Sequence, residues 1–505
     1  MKSTNMKSTN TQPNEPLVAI WSRRGFLGAA LALAAAAGAP GSVAGTQPIQ
    51  GPYPGRSVSR GDPDYERWRT AMPWQLYKAP RYPDAIVRPD HASQVQEVVR
   101  RARQQGRQIT VKSGGHNVSE AFLRDGGVLL DLGELQALEM SADGRHAWVE
   151  PSLWSHGLLR GLENSGKTFP VSHCATVPMG GFLLGGGIGY NHDNWGGVAC
   201  HNITSAQMVL ASGEQVRVSP DHHPDLFWAV RGGGMGLPAV VTRLQLALYD
   251  APQAVRECAA IFTIDQLEGA LQVLGDWADS RPADTELMML VAHNPMASPE
   301  TPPEASKLAI VRAVTYGRDA ESAEAIIGKL VSHPNVGKGP TPVVPKATSL
   351  EQMAVDSVNP ALGLGFGRYA VDTVWTNRLP EMADALRIQI RSAPSVKSHF
   401  VISPKVNRDL KDDAAFSILG QTFVGTYTVW DAAEHDEANF RWLAATSAAL
   451  RPRAHGQYIN EVDAFRDPTA PQRCFSAEAW KRLAAVRQHY DPDNLFKGWP
   501  GTATG

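Results

Sequence analysis

The chain has 505 residues, of which 43% are hydrophobic and 19% charged, and its formal net charge is −2. A chain of this length and composition buries a large core and forms two domains or one domain with a large insertion. The near-neutral charge excludes the basic surface that binds nucleic acid or an acidic membrane. Its four cysteines and its histidines lack the spacing of zinc ligands, so no metal site is predicted.

An export signal is predicted at the N-terminus. Residues 22–27 read Ser-Arg-Arg-Gly-Phe-Leu, an Ala/Leu run follows to Ala39, and residues 42–44 are small, as at a cleavage site. The apolar run is shorter than the roughly 20 residues that a membrane-spanning helix needs. We therefore predict a twin-arginine signal over 1–44, recognised by the export machinery and removed, in a periplasmic or secreted protein without a membrane anchor. A buried Ala-rich helix is the alternative, and it leaves the paired arginines unexplained.

A strand, a helix and a second strand are predicted before the first glycine-rich loop. Ile86 and Val87 open this unit, residues 95–105 have apolar positions at helical spacing, and residues 108–112 form a β-branched strand. The strand runs into Ser-Gly-Gly-His-Asn at 113–117. Residues without a Cβ allow a sharp turn that points backbone N–H groups at an anion such as a pyrophosphate. A tight turn with no ligand is the alternative.

The second glycine-rich loop follows Cys174. Six glycines between 180 and 189 allow the backbone to approach a flat ligand. They do not follow the G-x-G-x-x-G dinucleotide pattern, which needs a strand before it and a helix after it. By itself this loop is also compatible with a tight turn.

Together the two loops resemble the bicovalent branch of the berberine-bridge-enzyme-like flavoproteins, which have the vanillyl-alcohol-oxidase fold. The matching stretches are Lys-Ser-Gly-Gly-His at 112–116 and Cys-x-x-Val-x-x-Gly-Gly-x-x-x-Gly-Gly-Gly-x-Gly at 174–189. Two further stretches fit the family, Asp-Leu-Phe-Trp-Ala-Val-Arg-Gly-Gly-Gly at 225–234 and Tyr-Asp-Pro-Asp-Asn-Leu-Phe at 490–496. Pro238 departs from the family pattern and removes a backbone N–H.

The resemblance implies bicovalent FAD, with His116 linked to the 8α-methyl group and Cys174 to C6. It also implies a larger set of cofactor-binding residues. These are Lys112, Ser113, Gly114, Gly115, Asn117, Val177, Gly180, Gly181, Gly185, Gly186, Gly187, Gly189, Val241 and Asn494. Twin-arginine export transports folded proteins, which agrees with a flavin attached before export.

Residues 251–454 have a different pattern, in which strand-like runs alternate with amphipathic helices. The strands are predicted at 286–292, 308–316, 369–374, 399–403 and 422–430, and the helices at 264–279, 320–330, 379–391 and 437–450. This pattern predicts an antiparallel sheet with one face covered by helices and the other forming a substrate wall.

The predicted fold is therefore α+β, a two-subdomain FAD-binding domain of the vanillyl-alcohol-oxidase type with an antiparallel-sheet substrate domain covered by helices. The predicted order is an N-terminal segment at 45–79, the FAD-binding domain at 80–250, the substrate domain at 251–454 and a C-terminal segment at 455–505 that returns to the FAD-binding domain.

The candidate base lies near the C-terminus. Related enzymes commonly carry Tyr-x-Asn-Tyr, whereas this chain reads Tyr458-Ile459-Asn460-Glu461. A partly desolvated carboxylate beside a flavin has a raised pKa and can act as a general base near neutral pH. Strand alternation places Glu461 opposite Asn460, and the alternative is that Glu461 faces solvent or an arginine. Tyr458 is the second candidate base or an orienting residue. Candidate substrate contacts are Tyr190, His192, His399, Tyr427 and Trp430.

Val177 occupies the family position beside the oxygen-reactive carbon of the flavin, where a valine resembles oxidases and a leucine resembles dehydrogenases. The alternative for Val177 is a core residue without a gating role. We therefore predict an FAD-dependent oxidase that takes a hydride from an alcohol or amine carbon of a sugar-like, aromatic or secondary-metabolite small molecule and reduces O2 to H2O2. A dehydrogenase that uses a quinone or cytochrome, or a non-catalytic flavoprotein that sequesters a small molecule, is the alternative.

Overall fold

Three large β-sheets organise the described part of the chain. The computed structural model describes residues 53–294, 297–298, 300–302, 306–334, 336, 343–358, 367–405 and 409–501. The predicted export signal lies outside these residues. Within them, no helix has the length and apolar character needed to cross a membrane.

The strands are short in the N-terminal part and longer after residue 250. In chain order they are β1 (Arg56–Ser59), β2 (Ala85–Arg88), β3 (Ile109–Lys112), β4 (Val128–Asp131), β5 (Leu138–Met140), β6 (His146–Val149), β7 (Lys167–Thr168), β8 (Ile203–Leu210), β9 (Gln215–Val218), β10 (Ala239–Ala247), β11 (Tyr249–Asp250), β12 (Ala254–Thr263), β13 (Thr285–His293), β14 (Lys307–Gly317), β15 (Lys346–Thr348), β16 (Arg368–Thr376), β17 (His399–Pro404) and β18 (Thr422–Trp430).

The α-helices connect and cover these strands. In chain order they are α1 (Tyr65–Ala71), α2 (Ala92–Gln104), α3 (Ser155–Leu162), α4 (Met179–Leu184), α5 (Pro224–Val230), α6 (Leu267–Ser280), α7 (Ala320–Val331), α8 (Leu350–Asp356), α9 (Ala383–Arg391), α10 (Asp436–Leu450) and α11 (Ala477–Tyr490).

The first sheet has the order β1-β2-β4-β3. β2, β4 and β3 run parallel, and α2 forms the connection between β2 and β3. α2 buries Val95, Val98, Val99 and Ala102, the i, i+3, i+4, i+7 spacing of a helix with one apolar face. At the edge of this sheet Ile109 forms a parallel bridge with Phe496, so the C-terminal segment lies against the strand that leads into the first glycine loop.

The second sheet is antiparallel, with the order β5-β6-β10-β8-β9. Its residues Ala206, Met208 and Leu244 are fully buried in the largest hydrophobic cluster, together with residues of the second glycine loop such as Met179 and Leu183. The loop after Cys174 is thereby anchored to this sheet through α4.

The third sheet is antiparallel and has seven strands in the order β15-β12-β14-β13-β17-β18-β16. Helices α6, α7 and α10 pack on one face. Side chains of β13 alternate accordingly, because Leu287, Met289 and Val291 are 0% exposed whereas Met288 and Leu290 are partly exposed. The predicted α+β class and the helix-covered antiparallel sheet are confirmed.

Several local predictions differ from the structure. Strands β10 and β12 and helix α11 were not predicted. Each of them follows directly on a stretch that was interpreted as a turn or as a family motif. Residues Ile459–Glu461 form a 3-10 turn rather than a strand, so strand alternation does not decide where Glu461 points. Residues Gly51–Gly505 form one compact unit, within which the boundaries near 80, 250 and 454 stay predictions.

Candidate active site

The two glycine-rich loops are in direct contact. A Cβ added to Gly114 would lie 1.8 Å from Cγ of Pro178, and one added to Gly180 would lie 3.2 Å from Oγ of Ser113. Real Cβ atoms do not approach other atoms so closely, so Gly114 must be glycine for the loops to meet at this separation. Gly181 lies beside the same serine, with 4.0 Å to its Oγ.

The first loop presents backbone donors that the protein does not use. Within the described residues, the N–H groups of residues 113–117 have no hydrogen-bond acceptor. Gly115 has φ +78°, and a Cβ there would lie 2.0 Å from the carbonyl oxygen of Met72, so only glycine suits this turn. Consecutive unused N–H groups fit an anion, and the residues present therefore fit the pyrophosphate of FAD.

His116 and Cys174 converge on one hydroxyl group. Oγ1 of Thr176 lies 3.1 Å from Nε2 of His116 and 3.4 Å from Sγ of Cys174. The His116 ring stacks on Trp74, with 4.7 Å between ring centroids. Burial and the positive charge of Lys112 lower the pKa of His116 to about 3, so the imidazole is neutral. Its Nδ1 has no hydrogen-bond partner among the described residues.

Other predicted cofactor residues are engaged with the protein. The ammonium of Lys112 bonds Oδ1 of Asp131 at 2.8 Å and the carbonyl of Ser113 at 2.9 Å. Oδ1 of Asn117 accepts hydrogen bonds from Ser119 and from the backbone of Ala121. These two side chains therefore hold the loop in shape, and any contact of Lys112 or Asn117 with the cofactor stays a prediction.

Three further predicted cofactor residues lie in different surroundings. Val177 is partly exposed, and its carbonyl accepts hydrogen bonds from the backbone and hydroxyl of Ser155. Val241 is 3% exposed within β10 and belongs to the large hydrophobic cluster. Asn494 has φ +51°, and its Oδ1 accepts from Arg487 at 2.9 Å. Only Val177 of the three is close to Cys174, since its N–H bonds the Cys174 carbonyl at 3.2 Å.

The later glycines of the second loop accommodate protein atoms rather than open space. A Cβ on Gly185 would lie 1.9 Å from Oδ1 of Asn460, and one on Gly189 would lie 2.3 Å from the carbonyl of Pro170. Gly186 faces Phe416 in the same way, and Gly187 faces Phe182 and Ala199. Close packing within the protein already requires glycine at these positions, and the expected approach of their backbone to a flat ligand stays a prediction.

Glu461 lies at the boundary between the third sheet and the C-terminal segment. The hydroxyl of Tyr427 on β18 donates a 2.8 Å hydrogen bond to its Oε2. Burial raises the pKa of Glu461 to about 7, against the opposing effects of this hydrogen bond and of His173. The carboxyl group therefore changes its protonation state near neutral pH, as a general base requires.

Tyr458 is held away from such a role. Its hydroxyl accepts hydrogen bonds from the backbone N–H of Gly187 and from the amide of Asn460, both at 3.0 Å. The ring is 4% exposed and packs edge-on against Trp375 and Phe423, and burial raises its pKa above the ordinary range. Tyr458 thus positions the second glycine loop, which agrees with the orienting role rather than with the role of a base.

A buried pair beside Cys174 escaped the sequence reasoning. Nε2 of His173 lies in very short contact with Oε1 of Glu286, and Oε2 of Glu286 accepts from the hydroxyl of Tyr316 and the backbone of Asn191. Burial opposes the charge on Glu286, but His173 and other cationic groups hold its pKa below the usual range. The sequence contained one signal for this pair, because Glu286 is an acidic residue at the start of the strand predicted at 286–292.

Tyr190 also joins this pair. Its hydroxyl donates a 3.0 Å hydrogen bond to the carbonyl of His173, and the two rings are in edge contact. Tyr190 is 3% exposed. It therefore fixes the segment before Cys174 and offers little surface to a substrate.

His192 does not line an open pocket. It is 2% exposed, its Nδ1 lies 2.8 Å from the Gly189 carbonyl, and its Nε2 lies 3.3 Å from Asp193, which pairs with buried Arg281. The predicted substrate contact is wrong, because the segment after Gly189 turns into the protein interior.

Of the three substrate residues predicted on the third sheet, two share its open face. The rings of His399 and Tyr427 stack with centroids 5.2 Å apart, and both residues are partly exposed. Trp430 is 1% exposed, and its Nε1 donates to Asp436 at the start of α10. The prediction for Trp430 is wrong, because a residue three positions after Tyr427 on a strand lies on the opposite face.

Comparisons with known proteins agree with this site. Residues 83–219 match the family described as FAD binding domain, and residues 457–498 match the family described as berberine and berberine like. The FAD-linked oxidoreductase penO of Penicillium crustosum is 26% identical over 436 residues, which cover 86% of this chain and 93% of that protein.

Solved structures show the same fold. 6-Hydroxy-D-nicotine oxidase from Arthrobacter nicotinovorans superposes with a TM-score of 0.75 at 22% identity, over 90% of this chain and 98% of that one. A variant of berberine bridge enzyme in complex with (S)-reticuline superposes with a TM-score of 0.75 at 18% identity, over 88% of this chain and 96% of that one.

The fold, the two loops and these matches define an FAD-dependent oxidoreductase. Within that class, the matches are to berberine-like proteins and to FAD-linked oxidoreductases, so the chain is similar to the berberine-bridge-enzyme-like group. The predicted resemblance, the enzyme class and FAD as the cofactor are confirmed, the bicovalent attachment stays a prediction, and the non-catalytic alternative is set aside.

Proposed function

We propose that this protein is an exported oxidase with bicovalently bound FAD, which oxidises an alcohol or amine carbon and passes the electrons to O2, giving H2O2. The observation that carries the reaction type is Glu461. Its carboxyl group is held by Tyr427 on the open face of the third sheet and has its pKa raised to about 7.

The bound FAD supplies a hydride acceptor at N5. The chain supplies a base for the heteroatom proton of the substrate, because removal of that proton must accompany loss of the hydride from the neighbouring carbon. Glu461 in its ionised form accepts this proton. Tyr427, by donating to Oε2, fixes the orientation of the carboxylate and leaves Oε1 for the substrate.

His116 and Cys174 would hold the flavin covalently. A neutral imidazole with an unpartnered Nδ1 and a partly exposed thiol, both in contact with the Thr176 hydroxyl, support two attachments at one edge of the ring system. Bicovalent attachment requires both side chains to face the same ligand edge, and their shared contact is compatible with this.

Val177 supports O2 as the acceptor, because a small side chain beside Cys174 leaves space that leucine would fill. The test needs no substrate. The holoenzyme is reduced with dithionite under argon and mixed with air-saturated buffer, and flavin absorbance and H2O2 are followed. We expect fast reoxidation in the wild type and reoxidation at least about tenfold slower in Val177→Leu.

Val396→Leu is the matched control, because Val396 is 48% exposed and lies in another part of the chain. We expect it to reoxidise like the wild type. Slow reoxidation of the wild type in air together with fast reoxidation by a soluble quinone would establish a dehydrogenase instead.

Export is proposed from the sequence of residues 22–44. Replacement of Arg23 and Arg24 by lysine should retain the flavoprotein in the cytoplasm, whereas the unaltered chain should reach the periplasm with its flavin. Fractionation followed by in-gel flavin fluorescence measures both. Equal periplasmic amounts of the two proteins would exclude twin-arginine export.

A further inference from the structure

The open face of the third sheet carries aliphatic side chains beside the polar group of Glu461 and Tyr427. On β13, Met288 and Leu290 point away from the helices and are partly exposed. Leu290 pairs laterally with Ile310 on β14 and with Val401 on β17. These four residues, which we call the aliphatic floor, are all partly exposed on one face of three adjacent strands.

The aliphatic floor is continuous with the polar end of the site. Val401 follows His399 by two residues on β17, about 7 Å along the same face. His399 in turn pairs with Tyr427 on β18, whose hydroxyl reaches Glu461. A molecule with its reacting group at Glu461 therefore has its remaining atoms beside His399 and the aliphatic floor.

Above pH 7, where Glu461 is ionised, the polar end formed by Glu461, Tyr427 and His399 offers only hydrogen-bond acceptors. Nδ1 of His399 lies 2.9 Å from the carbonyl of Lys397, which can only accept, so Nδ1 carries the proton and Nε2 is an acceptor. Burial lowers the pKa of His399, which keeps the ring neutral. The proton of Tyr427 is donated to Glu461, and the free Oε1 of Glu461 also accepts.

We propose that the substrate is a hydrophobic alcohol or amine, with one donor group directed at Glu461 and His399 and an apolar body on the aliphatic floor. This inference rests on the proposed function and narrows its substrate class. A saccharide would place hydroxyl groups against Met288, Leu290, Ile310 and Val401, where they lose hydrogen bonds to water without replacement. A carboxylate or phosphate at the polar end would meet acceptors, and the cation on this face opposite Met288, Arg312, is already paired with Glu257.

Calorimetric titration of the dithionite-reduced holoenzyme under argon, which cannot oxidise its ligand, tests the proposal with straight-chain primary alcohols and amines of six to ten carbons. Each added methylene buried on the aliphatic floor should lower Kd by about three- to fourfold. Alkanoates of equal length should bind at least about tenfold more weakly than the alcohols, and cellobiose and chitobiose should give no saturable binding. Equal affinity across the series, or tighter binding of a disaccharide, would overturn the proposal.

Two variants locate the binding surface. Leu290→Asn and the isosteric Val401→Thr should each reduce the gain per methylene to less than twofold while the flavin spectrum is unchanged. Ile388→Thr is the matched control, since Ile388 is 63% exposed on α9. It should show the same gain in affinity per methylene as the wild type. Unchanged chain-length dependence in both floor variants would contradict the assignment.

The failure of this inference can be told from failure of the proposed function. Calorimetry reports binding whether or not the bound flavin is reoxidised by O2. Dithionite reduction and reoxidation report the acceptor without any substrate. A protein that reoxidises rapidly in air but binds disaccharides keeps the oxidase proposal and loses the hydrophobic substrate.

Discussion

The hydroxyl of Tyr427 donates a 2.8 Å hydrogen bond to Oε2 of Glu461, and this contact joins the open face of the third sheet to the C-terminal segment. Burial raises the pKa of the Glu461 carboxyl to about 7, whereas the bond from Tyr427 acts in the opposite direction. The pair therefore sets the pH at which a base becomes available.

The pH dependence of flavin reduction tests this pair. Because only the ionised carboxyl accepts a proton, the rate should be low below pH 7 and rise through about pH 7. Glu461→Gln should abolish this rise and lower the rate by about 10²- to 10⁴-fold. Stopped-flow absorbance with a hydrophobic alcohol or amine measures both. An unchanged rate in the variant would remove Glu461 from the mechanism.

Tyr427→Phe provides the complementary shift. Loss of the donated hydrogen bond should move the pKa of Glu461 further upward, so the rate should rise at higher pH than in the wild type. The carboxyl C=O band in infrared difference spectra, followed against pH, reports this pKa without turnover. A shift to lower pH would mean that another group controls the profile.

The intact mass of the acid-denatured chain reports whether flavin is covalently attached. We expect flavin to stay with the acid-denatured chain in His116→Ala and in Cys174→Ala, since each retains one attachment point, and to be released only in the double variant. Thr176→Val is the control, because it removes the shared hydroxyl but neither attachment point. Release of flavin from either single variant would show one linkage rather than two.

Gly114 controls the contact between the two loops. Gly114→Ala places a Cβ 1.8 Å from Pro178, so the loops must separate, and we expect loss of flavin incorporation measured by the ratio of visible to ultraviolet absorbance. Gly328→Ala is the control, because nothing lies within 4 Å of its added Cβ in α7. It should stabilise the protein by up to about 1 kcal/mol. Full flavin content in Gly114→Ala would contradict the contact.

Asp131 stabilises the first glycine-rich loop through its ion pair with Lys112. It is fully buried between Lys112 and Arg88, with contacts of 2.8 Å and 2.6 Å. Asp131→Asn leaves buried Lys112 and partly exposed Arg88 without this charged partner and should lower the free energy of unfolding by about 3–5 kcal/mol in urea denaturation. Lys112→Met should cost less, because Arg88 still pairs with Asp131.

The pH dependence of the stability lost in Asp131→Asn follows from the direction in which the pKa of Asp131 is shifted. Burial opposes ionisation of Asp131, but Lys112 and Arg88 hold its pKa below the usual range. Its contribution is therefore present above the ordinary carboxyl pKa of about 4 and is lost as pH falls. The difference in free energy of unfolding between the wild type and Asp131→Asn should therefore become smaller as the pH falls. A difference that grows in acid would contradict the pairing.

Local patterns in the sequence accounted for most of the third sheet and for the position of the glycine loops. The strand predicted at 422–430 coincides with β18, because its β-branched and aromatic residues favour a strand locally and side chains along a strand alternate between two faces. The same alternation, applied more strictly, separates Tyr427 from Trp430. The turn at Ile459–Glu461 was not predictable in this way, because tertiary contacts determine its backbone.

The sequence by itself predicted the resemblance to a flavoprotein family, the two glycine-rich loops with His116 and Cys174, and the antiparallel third sheet. Only the tertiary structure decided which groups those residues meet. His173 and Glu286 are 113 positions apart, Gly185 needs its missing side chain because of Asn460, and Lys112 is directed to Asp131 rather than to a cofactor. Backbone conformation is governed by adjacent residues and is readable locally, whereas a side chain's partner depends on where distant segments of the chain pack.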